Sequence, residues 1–147
     1  MKKTDKNIKV AVLTGGDSSE RTVALQSTKG IIGPLRDNYD VKVFDFPKGI
    51  DTFLKEYKNY HVAIPVFHGP GGEDGQIQGL LNVLGLPFIF SDVEAHALGM
   101  NKAFSKEIVS AAGLLAPKHK VLSTGENFSY QKPIVIKPVA GGSSIGI

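Results

Sequence analysis

Short apolar runs alternate along the chain with segments of helical period. Ile8 to Leu13 is apolar except for Lys9 and runs into Thr14-Gly15-Gly16-Asp17, the pattern of a buried parallel strand meeting a loop at its carboxyl end. The next segment predicts a helix with Ser18 and Ser19 available as caps, Val23, Ile31, Ile32 and Leu35 as its apolar positions, and Pro34 and Asp37-Asn38 closing it. Val41 to Phe46 reads as a second strand, Phe53 to Tyr57 as a short helix, and Val62 to Phe67 as a third strand, with Pro65 marking an irregular end. From Asp74 a further helix carries Ile77, Leu80, Leu81 and Leu84 at i, i+3, i+4 and i+7, with Gly85 placed to cap it. Phe88 to Phe90 reads as a short fourth strand, and Ala103 to Ala112 as a helix with Phe104, Ile108 and Ala111 on one face. This alternation predicts a doubly wound α/β parallel sheet over residues 8 to about 92. After Ala116 the pattern changes to two strands, Lys118 to Leu122 and Pro133 to Lys137, joined by a polar loop from Ser123 to Lys132, as at the start of a second domain.

Composition narrows the partners. The 147 residues suffice for one core and part of another, and 17 Lys and Arg against 14 Asp and Glu leave a net charge of +3, a mild bias towards anionic ligands. That surplus is too small for a nucleic-acid footprint, so no nucleic-acid partner is expected. No cysteine is present, which removes disulfides, thiolate metal ligands and a Cys nucleophile. The run Val10 to Leu13 is too short for a signal peptide, and Val83 to Phe90, broken by Gly85 and Pro87, is too short to span a membrane. The expectation is a cytoplasmic chain with no membrane partner.

Four loops carry the candidate chemistry, because each follows a strand or opens a helix, where backbone N–H groups can meet anions. They are Gly15 to Arg21, His68 to Gly75, Met100-Asn101-Lys102, and Lys137-Pro138 with Gly141-Gly142-Ser143-Ser144-Ile145-Gly146. The first also reads as an ordinary turn and helix cap, and Lys102 alone as a solvated lysine. In the second, five of eight residues are Gly or Pro, more than a plain turn needs, which favours a backbone that a ligand approaches closely. Lys137 leaves an apolar strand, where a buried ammonium needs an anion to meet it, and the Gly-Ser loop beyond it has the donors of a phosphate clamp. This loop is not a Walker A sequence, since Ile147 stands where the lysine belongs. Gly142 to Gly146 also fits G-x-S-x-G, but the acid and histidine of that hydrolase would follow Ser144, where only three residues remain. The dinucleotide fingerprint G-x-G-x-x-G is absent. His61, His68, His96 and His119 lack the spacing of a zinc site, so no metal is assigned to them.

Taken in order, the four loops resemble those of the D-alanyl-D-alanine ligase family, ATP-grasp enzymes of bacterial cell-wall (peptidoglycan) synthesis. The matching residues are Val12-Leu13-Thr14-Gly15-Gly16-x-Ser18-x-Glu20-Arg21, His68-Gly69-x-Gly71-Gly72-Glu73-Asp74-Gly75 with Gln78-Gly79, Met100-x-Lys102, and Lys137-Pro138 with Gly142-Ser143-Ser144-x-Gly146. The resemblance covers nearly all of the chain. It implies a Rossmann-like substrate-binding domain over residues 1–97 and the beginning of an α+β ATP-grasp domain over 98–147.

The activity that the resemblance implies is ATP-dependent joining of two D-alanines through an acyl phosphate. Glu20 would hold the ammonium of the first D-alanine, with Ser143 tied to it by a hydrogen bond, and these two form the implied catalytic pair. His68 would lie near that substrate's carboxylate. Lys102 and Lys137 would contact ATP phosphates, and Gly142, Ser143, Ser144 and Gly146 would fold over them as a flap. The family uses Mg²⁺ (or Mn²⁺), whose ligands the resemblance assigns to residues beyond Ile147, together with the adenine pocket and an Arg for the transferring phosphate. On that reading this stretch alone does not turn over. A homodimer through the N-terminal domain is also implied. Three positions depart from the family's pattern: Asn101 replaces a usual Asp, Gly99 a usual Ser, and Phe90 a Gly. The alternatives are a non-catalytic fragment that binds D-alanine or partner chains, and a ligase with another second substrate such as D-lactate.

Overall fold

The computed structural model describes residues 6–130, 132–143 and 146–147. Three parallel strands, β1 (Lys9–Gly15), β2 (Asp40–Phe46) and β3 (Val62–Val66), form a sheet in the order β2-β1-β3. Val12 pairs with Val43 on one side and Ile64 on the other, so β1 is central. Its residues from Val10 to Thr14 are buried, which explains why its apolar run is continuous where β2 alternates.

The period of two sends neighbouring residues to opposite faces. Val10, Val12 and Ile64 face α1 (Arg21–Asn38), against Ile31, Ile32 and Leu35. Ala11, Leu13, Phe44, Phe46 and Ala63 face the other way, against Phe53 of α2 (Ile50–Glu56) and Ile77 and Leu81 of α3 (Gln76–Leu84). Helices therefore cover both faces of a parallel sheet, as the strand and helix alternation predicts. Phe53 is fully buried, with ring centroids 5.3 Å from Phe44 and 5.7 Å from Phe46, and Phe46 lies 5.9 Å from Phe67. Burying a ring of this size stabilises the fold by about 1.5–3 kcal/mol. This aromatic chain also packs together the ends of β2 and β3, and the loop from His68 to Gly75 leaves the second of them.

Several local expectations need correction. Glu20, not Ser18 or Ser19, occupies the N-cap position of α1 and makes no side-chain cap bond, although Ser18 Oγ accepts from the Glu20 N–H at 3.2 Å. Pro34 lies inside the helix rather than ending it, and Val23 is 42% exposed. The predicted fourth strand is reduced to one parallel bridge between Ala63 and Phe88. Ala63 N–H donates to Pro87 O and Ala63 O accepts from Ile89 N–H, so the outer side of β3 is partly used. Pro65 lies two residues on and presents its missing N–H to that same outer side, which is why a proline is accommodated here.

Residues 118–122 and 133–137 form no strand; they lack ladder partners among the described residues, and Val135 and Ile136 are about 70% exposed. An apolar run becomes a strand only when a neighbour accepts its backbone bonds. The helix α4 (Val93–Met100) was not expected, and residue 97 falls within it. The helix α5 (Lys102–Ala111) was expected, yet Phe104 and Ile108 are about half exposed, and Ala103 is its buried residue. Among the described residues, no helix is long and apolar enough to cross a membrane.

Candidate active site

The carboxyl end of the sheet gathers Glu20, His68 and the chain around Ser143. Gly15 and Gly16 leave β1 with φ of 96° and 86°, and Gly16 N–H donates to Phe46 O at 3.0 Å. A Cβ on Gly15 would stand 2.5 Å from both Phe46 O and Arg21 Nη1, so the turn requires glycine there. Arg21 then locks the turn to the end of β2. Its Nη2 donates to both carboxylate oxygens of Asp45, at 2.7 and 2.6 Å, and its Nη1 donates to Gly16 O and Phe46 O at 3.1 and 2.8 Å.

Glu20, held by that latch at the mouth of α1, is 3% exposed. Ser143 Oγ donates to its Oε1 across 123 residues, and Ser143 itself has φ of 52°. Two glycines flank the same carboxylate: a Cβ on Gly69 would come within 2.5 Å of Glu20 Oε2, and one on Gly142 within 3.5 Å of Oε1. In the second loop the chain itself leaves no room for a Cβ at Gly69 or Gly72, whereas Gly71 has open space around it and is set apart by its φ of 87°. The N–H groups of Gly69 and Gly71 are likewise taken, by Glu73 Oε2 at 2.6 Å and Asp74 Oδ2 at 2.7 Å, so they are not free anion donors.

His68 sits beside Glu20's turn. Its carbonyl oxygen accepts from Ser18 Oγ at 2.7 Å, its Nε2 lies 3.1 Å from Ser27 Oγ, and its Nδ1 lies 3.8 Å from Glu73 Oε1. A crevice of about 450 Å³ opens next to this group, lined by Gly16, Asp17, Phe46, Ile50, Phe67 and Ile77 among others. Neither Glu20 nor His68 lines it.

Lys102 starts α5, where Asn101 is the N-cap and accepts from the N–H groups of Ala103 and Phe104 at 3.0 and 3.1 Å. The amide oxygen of Asn101 does the capping work of the carboxylate usual at that position. Lys102 Nζ donates to Gly141 O at 2.5 Å, its backbone N–H donates to Val139 O at 3.0 Å, and Gly141 N–H points to Met100 Sδ at 3.2 Å. Lys102 and the glycine loop are therefore brought together. Lys137 is not: it is exposed and leaves no strand, which removes the argument from a buried ammonium. Gly146 is exposed, with φ of 80°, and Ser144 lies outside the described residues. Phe90 adopts φ of 95° with 62% of its surface exposed, the backbone of a glycine carrying a ring that points largely to solvent.

Comparison with known proteins decides the family. Residues 45–91 match the family model described as D-ala D-ala ligase N-terminus. The chain is 42% identical over 146 residues to the D-alanine--D-alanine ligase of Gluconobacter oxydans, covering 95% of this chain and 48% of that protein. It is 43% identical to the Psychrobacter enzyme of the same name, covering 95% and 43%. The crystal structure of the Bacillus anthracis ligase superposes with a TM-score of 0.83 at 30% identity, over 95% of this chain and 48% of that one. The chain belongs to the D-alanine--D-alanine ligase family. It matches an N-terminal portion and spans about half the length of the curated relatives it matches. A second Bacillus anthracis structure, complexed with ATP, superposes with a TM-score of 0.80 at 28% identity, over 91% of this chain and 48% of that one.

The ligase motifs are legible in sequence, but the residues that hold them were not singled out there. Arg21 had a signal, since a cation in the first turn opposes the helix dipole and needs an external reason. Ser27 had none. Glu73 and Asp74 were read as motif letters; their work is to hold loop backbone.

Proposed function

We propose that this chain supplies the first-substrate half of an ATP-dependent carboxylate–amine ligase that forms D-alanyl-D-alanine through an acyl phosphate. Residues 1–97 act as its substrate-binding domain and 98–147 as the beginning of its ATP-grasp domain. The observation that carries this reading is the buried Glu20 carboxylate at the carboxyl end of a parallel sheet, bracketed by the His68 loop and Ser143. A small zwitterion suits the place: Glu20 attracts an ammonium, and His68 offers a ring N–H to a carboxylate. Holding the substrate in one orientation is the first requirement of a two-step ligation.

ATP would meet Lys102, Lys137 and the loop of Gly142, Ser143, Ser144 and Gly146. Lys102 and that loop are already in contact, a fit for a phosphate site whose lysine exchanges a carbonyl partner for a phosphate oxygen. The described residues do not fit a metal site: among them no group of three or more His, Asp or Glu is placed to hold an ion. The same reading makes the whole enzyme a cytoplasmic homodimer joined through its N-terminal domains.

Glu20→Gln tests the assignment, in a full-length ligase that carries this chain as its N-terminal half. Loss of a hydrogen bond to a charged group should weaken the first D-alanine site by about 1.5–3 kcal/mol. Michaelis constants for D-alanine and turnover within about twofold of the parent would refute it, because a helix-terminal carboxylate alone is worth only tenths of a kcal/mol.

A further inference from the structure

We propose that Ser27 is a positioning residue for His68, which together with Glu73 holds the neutral ring as its Nδ1–H tautomer and fixes the face it turns to substrate. This rests on the reading that His68 meets the first D-alanine. The geometry is a clamp on three sides. Ser18 Oγ holds the His68 carbonyl at 2.7 Å, Ser27 Oγ stands 3.1 Å from Nε2, and Glu73 Oε1 stands 3.8 Å from Nδ1.

Glu73 cannot drift freely, because its other oxygen accepts from Gly69 N–H at 2.6 Å. A fixed carboxylate on the Nδ1 side repels a lone pair and favours a proton there, although 3.8 Å is too long for a direct hydrogen bond. The remaining nitrogen then presents a lone pair, and Ser27 Oγ is the group placed to donate to it. A serine in the middle of a helix ordinarily donates to the carbonyl one turn back or points to solvent. Ser27 on α1 instead reaches across to a residue 41 positions away. A hydroxyl can also reverse: it donates to bare Nε2 and accepts from Nε2–H when the ring takes up a second proton. Ser27 thus keeps the ring oriented in both protonation states, which a methyl group in its place could not do.

The test uses ¹⁵N-histidine-labelled chain and its variants, with ring nitrogen shifts recorded in alkaline buffer and D-alanine as the probe. In the parent, His68 should show a protonated Nδ1 and a bare Nε2, opposite to the preference of free histidine. Ser27→Thr, which retains the hydroxyl, should keep that pattern. Ser27→Ala should move population to the Nε2–H tautomer and weaken the D-alanine-induced shift of the His68 signals about fivefold in apparent affinity, the equivalent of one ordinary hydrogen bond. A parent His68 in the Nε2–H form, or a tautomer ratio unchanged in Ser27→Ala, would overturn the proposal. If the tautomer responds as stated and D-alanine leaves His68 untouched in every variant, the clamp stands and the substrate assignment falls. Should Ser27→Ala fail to fold, the parent and Ser27→Thr spectra still decide the tautomer.

Discussion

Replacing Arg21 by Met should destabilise the fold by about 2 kcal/mol, and the sum shows which interaction dominates. The ion pair with Asp45 is the smaller part. Its side chains are 32% and 44% exposed, so the pair is worth no more than about 1 kcal/mol despite its bidentate geometry. The bonds from Nη1 to Gly16 O and Phe46 O tie the turn before Glu20 to the end of β2, and losing a charged donor there costs about 1.5 kcal/mol after allowing for replacement by water. Against these stands the relief of removing a cation from the first turn of α1, about 0.5 kcal/mol. Arg21→Lys should recover less than half of the loss, because an ammonium cannot serve Asp45 and two carbonyls in one plane. Urea denaturation of the parent, the two variants and Asp45→Asn would measure this. A loss below about 0.5 kcal/mol for Arg21→Met, or full recovery by Lys, would refute the argument that the fork geometry matters more than the charge.

At position 90, Gly should exceed Ala in stability by about 1 kcal/mol, since φ of 95° strains any side chain; equal urea midpoints would show the backbone to be relaxed. Asn101→Ala should cost about 1 kcal/mol through loss of the cap on α5, while Asn101→Asp should match or exceed the parent, both read from thermal midpoints. Tyr60, whose hydroxyl is pushed up to about 12 by burial and then by the neighbouring Glu56 carboxylate, holds its proton more tightly when folded. Its contribution is fully present below the ordinary tyrosine value of about 10 and is lost as pH rises from there through the folded value. Tyr60→Phe should therefore flatten the decline in stability between about pH 9 and about pH 11.5, and an unchanged slope would contradict the shift.

The sheet was legible because its evidence is local and repeated. Val10 to Leu13 is buried on both faces and reads as continuous, and Ile77, Leu80 and Leu81 share the face of α3 that packs on the sheet. The helix α4 was hidden because Val93 to Met100 carries no apolar stripe for a period to reveal. The runs 118–122 and 133–137 misled for the opposite reason, since their apolar residues imply a strand but contain nothing about a partner. At the site, motif residues were found by their spacing, yet what brings Glu20, Ser143 and Gly69 together is a contact across the fold, to which no local pattern is sensitive.

A sheet of only three strands has two edges and little interior, so its open edges are where a second molecule could add by strand pairing. On β3 that route is closed. Ala63 has both backbone groups engaged by the chain at 87–89, and Pro65 has no N–H to offer, so an incoming strand finds no two successive bonding positions. One proline inside an apolar run thus guards against aggregation the very strand that delivers His68 to its place.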